Sequence, residues 1–249
     1  MSFADHFSNV AAKYAAYRPR YPEALAELLA RESPGHALAW DAGCGNGQLS
    51  VALAARFARV IATDPARAQL DAAETRPNID YRCEPAEQSS LAAGSADLCV
   101  AAQAAHWFDW PRYTAEVARV GRPGALAALV GYGGLTVTGD AGDLIDHYYK
   151  VTTAGYWPKG REHVDNFYRD LVWPWPEVAA PRMRIVTQWT RDELLGYLAT
   201  WSATQRLTAA KGEAPYRELC DAVSTRWPAE ERREITWPLV VRLARVTSH

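Results

Sequence analysis

Short apolar runs alternate with helical patterns through residues 35–134, and this alternation constrains the fold more than any other feature of the chain. The runs that read as strands are ALAWDAG, ARVIATD, IDYRCE, ADLCVAAQ and GALAALVGYG. Helical spacing marks QLSVALAARF, residues 67–73 and PRYTAEVARVG between them. Strands that are apolar throughout and separated by helices predict an α/β fold, with a mostly parallel sheet covered on both faces.

Two stretches flank this core, and we predict one domain over residues 1–249. Residues 1–34 are predicted to be helical, because apolar and aromatic side chains recur on one helix face before Pro19. Residues 135–249 are predicted to finish the sheet and to add a helical cap. There, RDELLGYLATWSATQRL is expected to be one helix that opens with a capping box. LVVRLARV is expected to be a strand with Pro238 just before it, and MRIVTQW a strand of either the sheet or the cap.

Charge and cysteine usage limit the class of protein. A formal net charge of −2 at pH 7 lacks the basic excess that binding to nucleic acid or anionic membranes requires. The 4 cysteines are scattered without metal-binding spacing, which indicates reduced thiols and no metal site. The sequence shows neither a signal peptide nor an apolar run of about 20 residues that would span a membrane. We therefore expect a cytoplasmic protein.

The stretch WDAGCGNGQLS lies between the first predicted strand and the first predicted helix, where α/β proteins bind ligands. A dinucleotide-binding loop has the spacing G-x-G-x-x-G and holds a pyrophosphate. Here Gly43, Gly45 and Gly47 have the spacing G-x-G-x-G, and Asp41 precedes them. A carboxylate there would repel a diphosphate and attract an ammonium or sulfonium group. The loop therefore favours S-adenosylmethionine over a nicotinamide dinucleotide.

A second carboxylate, Asp64, ends the second predicted strand in VIATDP. An acidic residue at that position commonly holds the ribose hydroxyls of a nucleotide cofactor. The alternative is an aspartate that caps the turn before Pro65. The spacing from the glycine loop favours the ribose role.

Several stretches together resemble one enzyme family: YAAYRPRYP, WDAGCGNGQLS, VIATDPA, EPAEQSSL, SADLCVAAQAAHWFD and GYLATWSA. The chain resembles class I S-adenosylmethionine-dependent methyltransferases, and more narrowly the trans-aconitate methyltransferase-like, small-molecule branch. The resemblance implies a Rossmann-like doubly wound sheet with an N-terminal helical lid over residues 1–34, a cofactor-binding core over 35–134 and a C-terminal helical cap. It also implies S-adenosylhomocysteine as the product.

The resemblance implies a role for each matching position. Asp41, Gly43 and Gly45 would hold the methionine end of the cofactor, with Cys44 beside them. The remaining implied cofactor contacts are Asp64 and Pro65 at the ribose, Ala86 and Glu87 along the adenine, Gln103 near the sulfonium, and Arg18 at a carboxylate of cofactor or substrate. Many relatives have an acidic residue where this chain has Pro85, so Glu87 is expected to take over adenine recognition.

The predicted substrate site combines an aromatic cluster with one histidine. Its residues are Tyr14, Tyr17, Tyr21, His106, Tyr132 and Trp201. His106 is the candidate catalytic residue, either as a general base or as a structural hydrogen-bonding group, and the sequence leaves both open. A carboxylate acceptor is already ionised at pH 7 and needs no base.

The expected function is methyl transfer to a small molecule, with a carboxylate oxygen as the first choice of acceptor by resemblance. A phenol, an acidic carbon or an amine is the alternative acceptor, and a non-catalytic S-adenosylmethionine-binding regulatory protein is the alternative class. The partner is expected to be a small-molecule substrate, without nucleic acid or membrane. The sequence leaves a monomer and a homodimer equally open.

Overall fold

The computed structural model describes residues 18–247. The strands in this range are β1 Leu38–Ala42, β2 Arg59–Thr63, β3 Ile79–Arg82, β4 Ala96–Ala102, β5 Gly121–Tyr132, β6 Thr136–Val137, β7 Glu177–Val178, β8 Met183–Trp189 and β9 Arg233–Arg245. They form one sheet with the order β3-β2-β1-β4-β5-β9-β6, and β7 and β8 also pair with β9. Strands β1 to β5 are parallel, whereas β9 is antiparallel to β5. The predicted doubly wound, mostly parallel fold is confirmed.

Helices cover both faces of this sheet. They are α1 Glu23–Glu32, α2 Gln48–Ala54, α3 Arg67–Asp71, α4 Trp110–Val120, α5 Gly142–His147, α6 Arg161–Asp165, α7 Arg191–Ala199, α8 Ser202–Lys211 and α9 Ala214–Arg226. A π-helical segment, Tyr148–Thr152, continues α5, and a short 3-10 turn, Ala105–Trp107, follows β4.

The central strands are buried on both sides, and successive side chains enter two different cores. In β4, Leu98 and Val100 belong to the core that includes α1, α2 and the helices after β8. Cys99 and Ala101 belong to the opposite core, beside Tyr113 of α4. This alternation follows from the strand period of two, and burial on both faces explains why these strands are apolar throughout.

The predicted helix over RDELLGYLATWSATQRL is two helices. The capping box forms as expected, since Thr190 accepts from the backbone N–H of Glu193 and the Glu193 side chain accepts from that of Thr190. However, α7 ends at Ala199 and α8 begins at Ser202, because Trp201 has an extended backbone (φ −66°, ψ 134°). The Trp201 ring packs in an aromatic cluster with Tyr149, Trp157 and Tyr197, and this packing coincides with the break between the two helices.

The end of the chain joins the sheet more extensively than the sequence predicts. MRIVTQW is strand β8 of the main sheet and pairs with β9 over its full length. Pro238 lies inside β9 rather than before it. The pairing of β5 with β9 begins at Leu239, and that of β6 ends at Thr236. On that edge of β9, Pro238 thus falls between two pairings, where a missing N–H is tolerated, while on the other edge it lies opposite Arg184 of β8.

The predicted N-terminal lid is described only in part. Its second helix is α1, whose Leu25 and Leu29 are fully buried in the core. Tyr14 and Tyr17 lie outside the described residues, so their predicted role stays a prediction. Among residues 18–247, no helix is both long and apolar enough to cross a membrane.

Candidate functional site

The glycine loop joins β1 to α2 at the carboxyl end of the sheet. Gly43, Gly45 and Gly47 all have left-handed backbones, with φ of 68°, 56° and 79°. The N–H groups of Gly43 and Cys44 both donate to the carbonyl of Thr63, at 2.8 and 3.0 Å, and this ties the loop to the end of β2. These bonds therefore anchor the loop at the ends of the two neighbouring strands β1 and β2.

Gly43 also permits a close approach between segments. A Cβ there would lie 2.5 Å from the Cβ of Ala104 and 2.9 Å from the Cζ of Phe108. The segment after β4 thus packs directly on the loop, and the glycine is required by contact as well as by backbone conformation.

Asp41 is buried at the end of β1, with 1% of its surface exposed. Its Oδ2 accepts a hydrogen bond of 2.6 Å from Ser50 on α2, whereas its Oδ1 accepts none from the described residues. Burial, together with the nearby charge of Asp64, raises the pKa of Asp41 to about 7. A buried acceptor without a donor is costly, so Oδ1 is suited to a ligand that brings a donor or a positive charge.

Asp64 follows β2 and holds the glycine loop. Its Oδ2 accepts from the N–H of Gly45 at 2.9 Å, and its Oδ1 accepts from the N–H of Ala66 at 2.8 Å. Burial raises the pKa of Asp64, while these two backbone bonds counteract the rise. The carboxylate thus has the predicted turn-capping role, and it also lines the cavity beside Pro65, where its ribose-binding role stays a prediction.

One cavity of about 380 Å³ opens over this edge of the sheet. Every predicted site residue within the described range lines it: Arg18, Tyr21, Asp41, Gly43, Cys44, Gly45, Asp64, Pro65, Ala86, Glu87, Gln103, His106, Tyr132 and Trp201. Their individual roles remain predictions. The common location follows from the parallel sheet, whose strand ends meet at one edge.

The segments after β3 and β4 supply two further polar groups. Glu87 accepts a hydrogen bond of 2.9 Å from the backbone N–H of Asp109, so one of its carboxylate oxygens is already engaged. The Nε2 of Gln103 donates to the carbonyl of Tyr132 at 2.8 Å, and its Oε1 is buried without a donor from the described residues. Gln103 has a left-handed backbone, with φ of 54°.

His106 lies half-buried in the turn after β4, hydrogen-bonded to a tyrosine. Its Nδ1 is 3.0 Å from the hydroxyl of Tyr168. Burial, followed by the charges of Arg161, His163 and Arg18, lowers the pKa of His106 to about 3. His106 is therefore neutral at pH 7. A group with so low a pKa is a weak general base, and this favours the hydrogen-bonding role over the base role.

The sequence did not single out the cationic and aromatic wall that faces His106. Arg161, at the start of α6, lines the cavity with Tyr149 and Trp157. The Arg161 guanidinium lies over the Trp157 ring at 4.4 Å and donates to the Tyr149 hydroxyl at 2.6 Å. No sequence motif marks these residues, because an arginine that follows a turn rich in Pro and Gly is expected to be exposed. The mixture of aromatic and basic residues in GYWPKGRE was the available signal.

Relatives of the chain agree with this geometry. A family profile described as a methyltransferase domain matches residues 40–129. A Dictyostelium discoideum protein, named as a methyltransferase, is 30% identical over 204 residues, which cover 80% of this chain and 78% of that protein. The chain belongs to the class I S-adenosylmethionine-dependent methyltransferases.

Solved structures place the methyltransferase in the same fold. A protein from Anaeromyxobacter dehalogenans, described as a type II methyltransferase, is 42% identical with a TM-score of 0.87, covering 94% of this chain and 100% of that one. A Haemonchus contortus phosphoethanolamine N-methyltransferase, solved with S-adenosylhomocysteine, is 16% identical with a TM-score of 0.53. It covers 100% of this chain and 61% of that one, and at this identity the likeness shows the fold alone.

The residues of the methyltransferase cavity fit S-adenosylmethionine. The side-chain acceptors Asp41 Oδ1, Gln69 Oε1 and Gln103 Oε1 are buried and receive no hydrogen bond from the described residues. They lie where a ligand rich in donors and positive charge would satisfy them. Across residues 18–247 no cluster of three or more His, Cys, Asp or Glu side chains is arranged to hold a metal ion.

Proposed function

We propose that this methyltransferase transfers the methyl group of S-adenosylmethionine to a small molecule, and that the acceptor atom is a carboxylate oxygen. The observation that carries the proposal is a single cavity that joins the buried, donor-free oxygen of Asp41 to a neutral histidine and an arginine. The narrower resemblance to trans-aconitate methyltransferase-like proteins supports the same choice of acceptor.

Residues of the loop and strand ends would hold the cofactor. Asp41 would face its positive groups, Asp64 its ribose, and Ala86 with Glu87 its adenine. When bound, S-adenosylmethionine supplies an electrophilic methyl group on a cationic sulfur. The protein contributes position and electrostatics, and the packed glycine loop holds the carboxylates in place before the ligand arrives.

The low pKa of His106 supports an acceptor that is already ionised. Transfer to a phenol, an acidic carbon or an amine releases a proton, which a base must accept at some stage. A carboxylate has lost its proton well below pH 7 and becomes a neutral ester directly. His106, uncharged and hydrogen-bonded to Tyr168, is suited to orienting such an acceptor.

A cytoplasmic location and a small-molecule partner are part of the proposal. All four cysteines, Cys44, Cys83, Cys99 and Cys220, are free, which supports a reducing compartment. The cavity volume of about 380 Å³ supports a substrate of small size.

Calorimetric titration with S-adenosylhomocysteine, followed by an assay of methyl transfer, tests the proposal. Wild type is expected to bind in the micromolar range, whereas Asp41→Ala loses at least about tenfold in affinity, because it removes the charge that would face the ammonium group of the ligand. A panel of small carboxylic acids is then assayed with S-adenosylmethionine for release of S-adenosylhomocysteine. Binding without turnover on any acid, phenol or amine would instead identify a regulatory binding protein.

A further inference from the structure

The cavity has two ends of opposite charge. Asp41, near the end of β1, and Asp64, which follows β2, provide the acidic end. Around His106, by contrast, the charged groups that influence its pKa are Arg161, His163 and Arg18, all of which are basic. A cationic cofactor is drawn to the first end, and an anion is drawn to the second. A role of the second end in binding the methyl acceptor rests on the proposed function.

Arg161 is held rigidly at the basic end. Its Nε donates to Asp165 at 3.0 Å and its Nη2 to the Tyr149 hydroxyl at 2.6 Å, while Nη1 makes no hydrogen bond with the described residues. The Asp165 side chain is 47% exposed, so water screens its charge, whereas that of Arg161 is only 21% exposed. A guanidinium fixed in this way has lost its side-chain entropy before a ligand binds.

The start of α6 packs directly against His106. Gly160 has φ of 89°, and a Cβ there would overlap the carbonyl oxygen of His106. Arg161 follows immediately in the chain. Arg161 and His106 therefore present their side chains to the same cavity from two segments in contact.

The hydrogen bond from Tyr168 favours one position for the proton of His106. The buried Tyr168 hydroxyl makes no other hydrogen bond with the described residues, so Nδ1 of His106 is the acceptor available for its proton. Burial raises the pKa of Tyr168, which keeps the phenol protonated. With Nδ1 as the acceptor, a neutral imidazole carries its proton on Nε2. Nε2 is free of hydrogen bonds to the described residues and is a donor.

The backbone at Tyr168 and at the residue before it has an energetically unfavourable conformation. Phe167 and Tyr168 are consecutive non-glycine residues with left-handed φ angles of 58° and 55°. Arg242 fixes them by donating to the carbonyls of Tyr168 and, at 2.7 Å, of Leu171. Such strain persists where the surroundings over-determine it, and it concentrates at functional sites.

We propose that Arg161 and the Nε2–H of His106 together bind the carboxylate of the methyl acceptor, with Tyr168 as the residue that positions His106. The rings of Tyr149, Trp157 and Trp201 lie 5.0 to 5.5 Å from one another beside this anchor. They form a wall that fits a flat, apolar group. The substrate class is thus an organic acid with a flat apolar body.

Matched pairs of acids and amides test this assignment. Benzoate, phenylacetate and cinnamate are each compared with their primary amides in titrations at pH 7.5, on protein saturated with S-adenosylhomocysteine. For at least one pair, wild type is expected to bind the acid about tenfold more tightly than the amide. Arg161→Gln reduces this ratio to within about twofold, whereas the control Arg169→Gln, an exposed arginine of the same segment, leaves it unchanged.

The variant Tyr168→Phe tests whether Tyr168 positions His106. The readout is the tautomer of His106, which would not change if Tyr168 had a purely structural role. In wild type, the ¹⁵N chemical shifts of His106 are expected to show a protonated Nε2 and an acceptor Nδ1. The variant loses this fixed tautomer, and its acid-to-amide ratio falls by about threefold to tenfold.

The outcomes separate this inference from the proposed function. Equal binding of acids and amides, or no binding of any acid by a protein that binds S-adenosylhomocysteine, overturns the anion site alone. Failure of wild type to bind S-adenosylhomocysteine overturns the proposed function and this inference with it. If Arg161→Gln does not fold, Arg161→Met replaces it, since methionine keeps a long unbranched side chain without the charge, and a ratio equal to wild type would overturn the role of Arg161.

Discussion

Ser50 donates a hydrogen bond of 2.6 Å to one carboxylate oxygen of Asp41 and leaves the other oxygen buried without a donor from the described residues. This asymmetry leaves one oxygen of Asp41 available to a ligand. Burial raises its pKa to about 7, so in the free protein it is only partly ionised near neutral pH.

Cofactor binding is expected to release a proton at pH 6. The free protein holds Asp41 largely protonated there, and a cationic ligand lowers the pKa of Asp41 by favouring its ionised form. Affinity for S-adenosylhomocysteine therefore rises with pH up to about 7 and then levels off. Calorimetry in phosphate and in Bis-Tris at pH 6 measures the proton release as a buffer-dependent enthalpy. Proton uptake, or the same release from Asp41→Asn, would contradict it.

Asp41→Asn is expected to stabilise the free protein at pH 8 while weakening cofactor binding. The folded-state pKa of Asp41 exceeds its value in the unfolded chain, so ionisation costs stability as pH rises from about 4 towards 7. The cost above pH 7 is at most on the order of 4 kcal/mol, at about 1.4 kcal/mol per pKa unit. Thermal unfolding from pH 4 to pH 8 measures it. The variant's advantage should grow with pH and vanish near pH 4; an advantage independent of pH would refute the linkage.

Gly43→Ala is expected to be more destabilising than Gly94→Ala. Both glycines have left-handed backbones, with φ of 68° and 63°, so both variants incur a similar backbone strain of about 1 kcal/mol. Only at Gly43 would the new Cβ meet neighbours, at 2.5 Å from Ala104, whereas nothing lies within 4 Å at Gly94. Overpacking adds about 1–3 kcal/mol. Urea unfolding measures the free energy of unfolding of the two variants. Equal losses would contradict the prediction, because they would show that the loop accommodates the added methyl group without destabilisation.

Asp97→Ala is expected to destabilise the protein without changing cofactor affinity. Asp97 is fully buried in β4 and accepts from the N–H groups of Ala37 and Leu38, at 2.7 and 3.0 Å. It also pairs with Arg122 at 2.9 Å. Removing it leaves two N–H groups unsatisfied, at a cost of about 2–5 kcal/mol.

Asp97→Asn is the matched control, since an amide oxygen at that position still accepts from the backbone. Its loss of stability should be clearly smaller than that of Asp97→Ala. Chemical denaturation and titration with S-adenosylhomocysteine measure the two effects separately. A large change in cofactor affinity in either variant would contradict a purely structural role for Asp97.

The parallel core and its ligand edge could be predicted because they depend on local patterns. A strand buried on both faces must be apolar throughout, and a loop that contacts a helix and a ligand needs glycine. Asp41 and Asp64 were therefore found from the sequence, and both line the cavity. The same logic located His106, which directly follows a predicted strand.

Arg161 and Tyr168 were missed for a physical reason. Each reaches the site through contacts with segments distant in the chain, such as Arg242 on β9, which donates to the carbonyl of Tyr168. The spacing of residues along a short stretch of sequence does not reveal a contact between distant segments. The break before α8 was missed in the same way, because helix propensity continues through Trp201 and only the aromatic cluster interrupts it.

Strand β9 pairs with β5, β6, β7 and β8, although it follows all of them in the chain. A nascent chain that has not yet reached Arg233 can assemble β1 to β5, but it leaves the apolar edge of β5 uncovered and the other three strands without a partner. Such an intermediate exposes an edge prone to aggregation. Synthesis of this enzyme therefore passes through a vulnerable stage that ends only when its last strand emerges, and truncations before β9 should accumulate as insoluble protein rather than as a smaller folded domain.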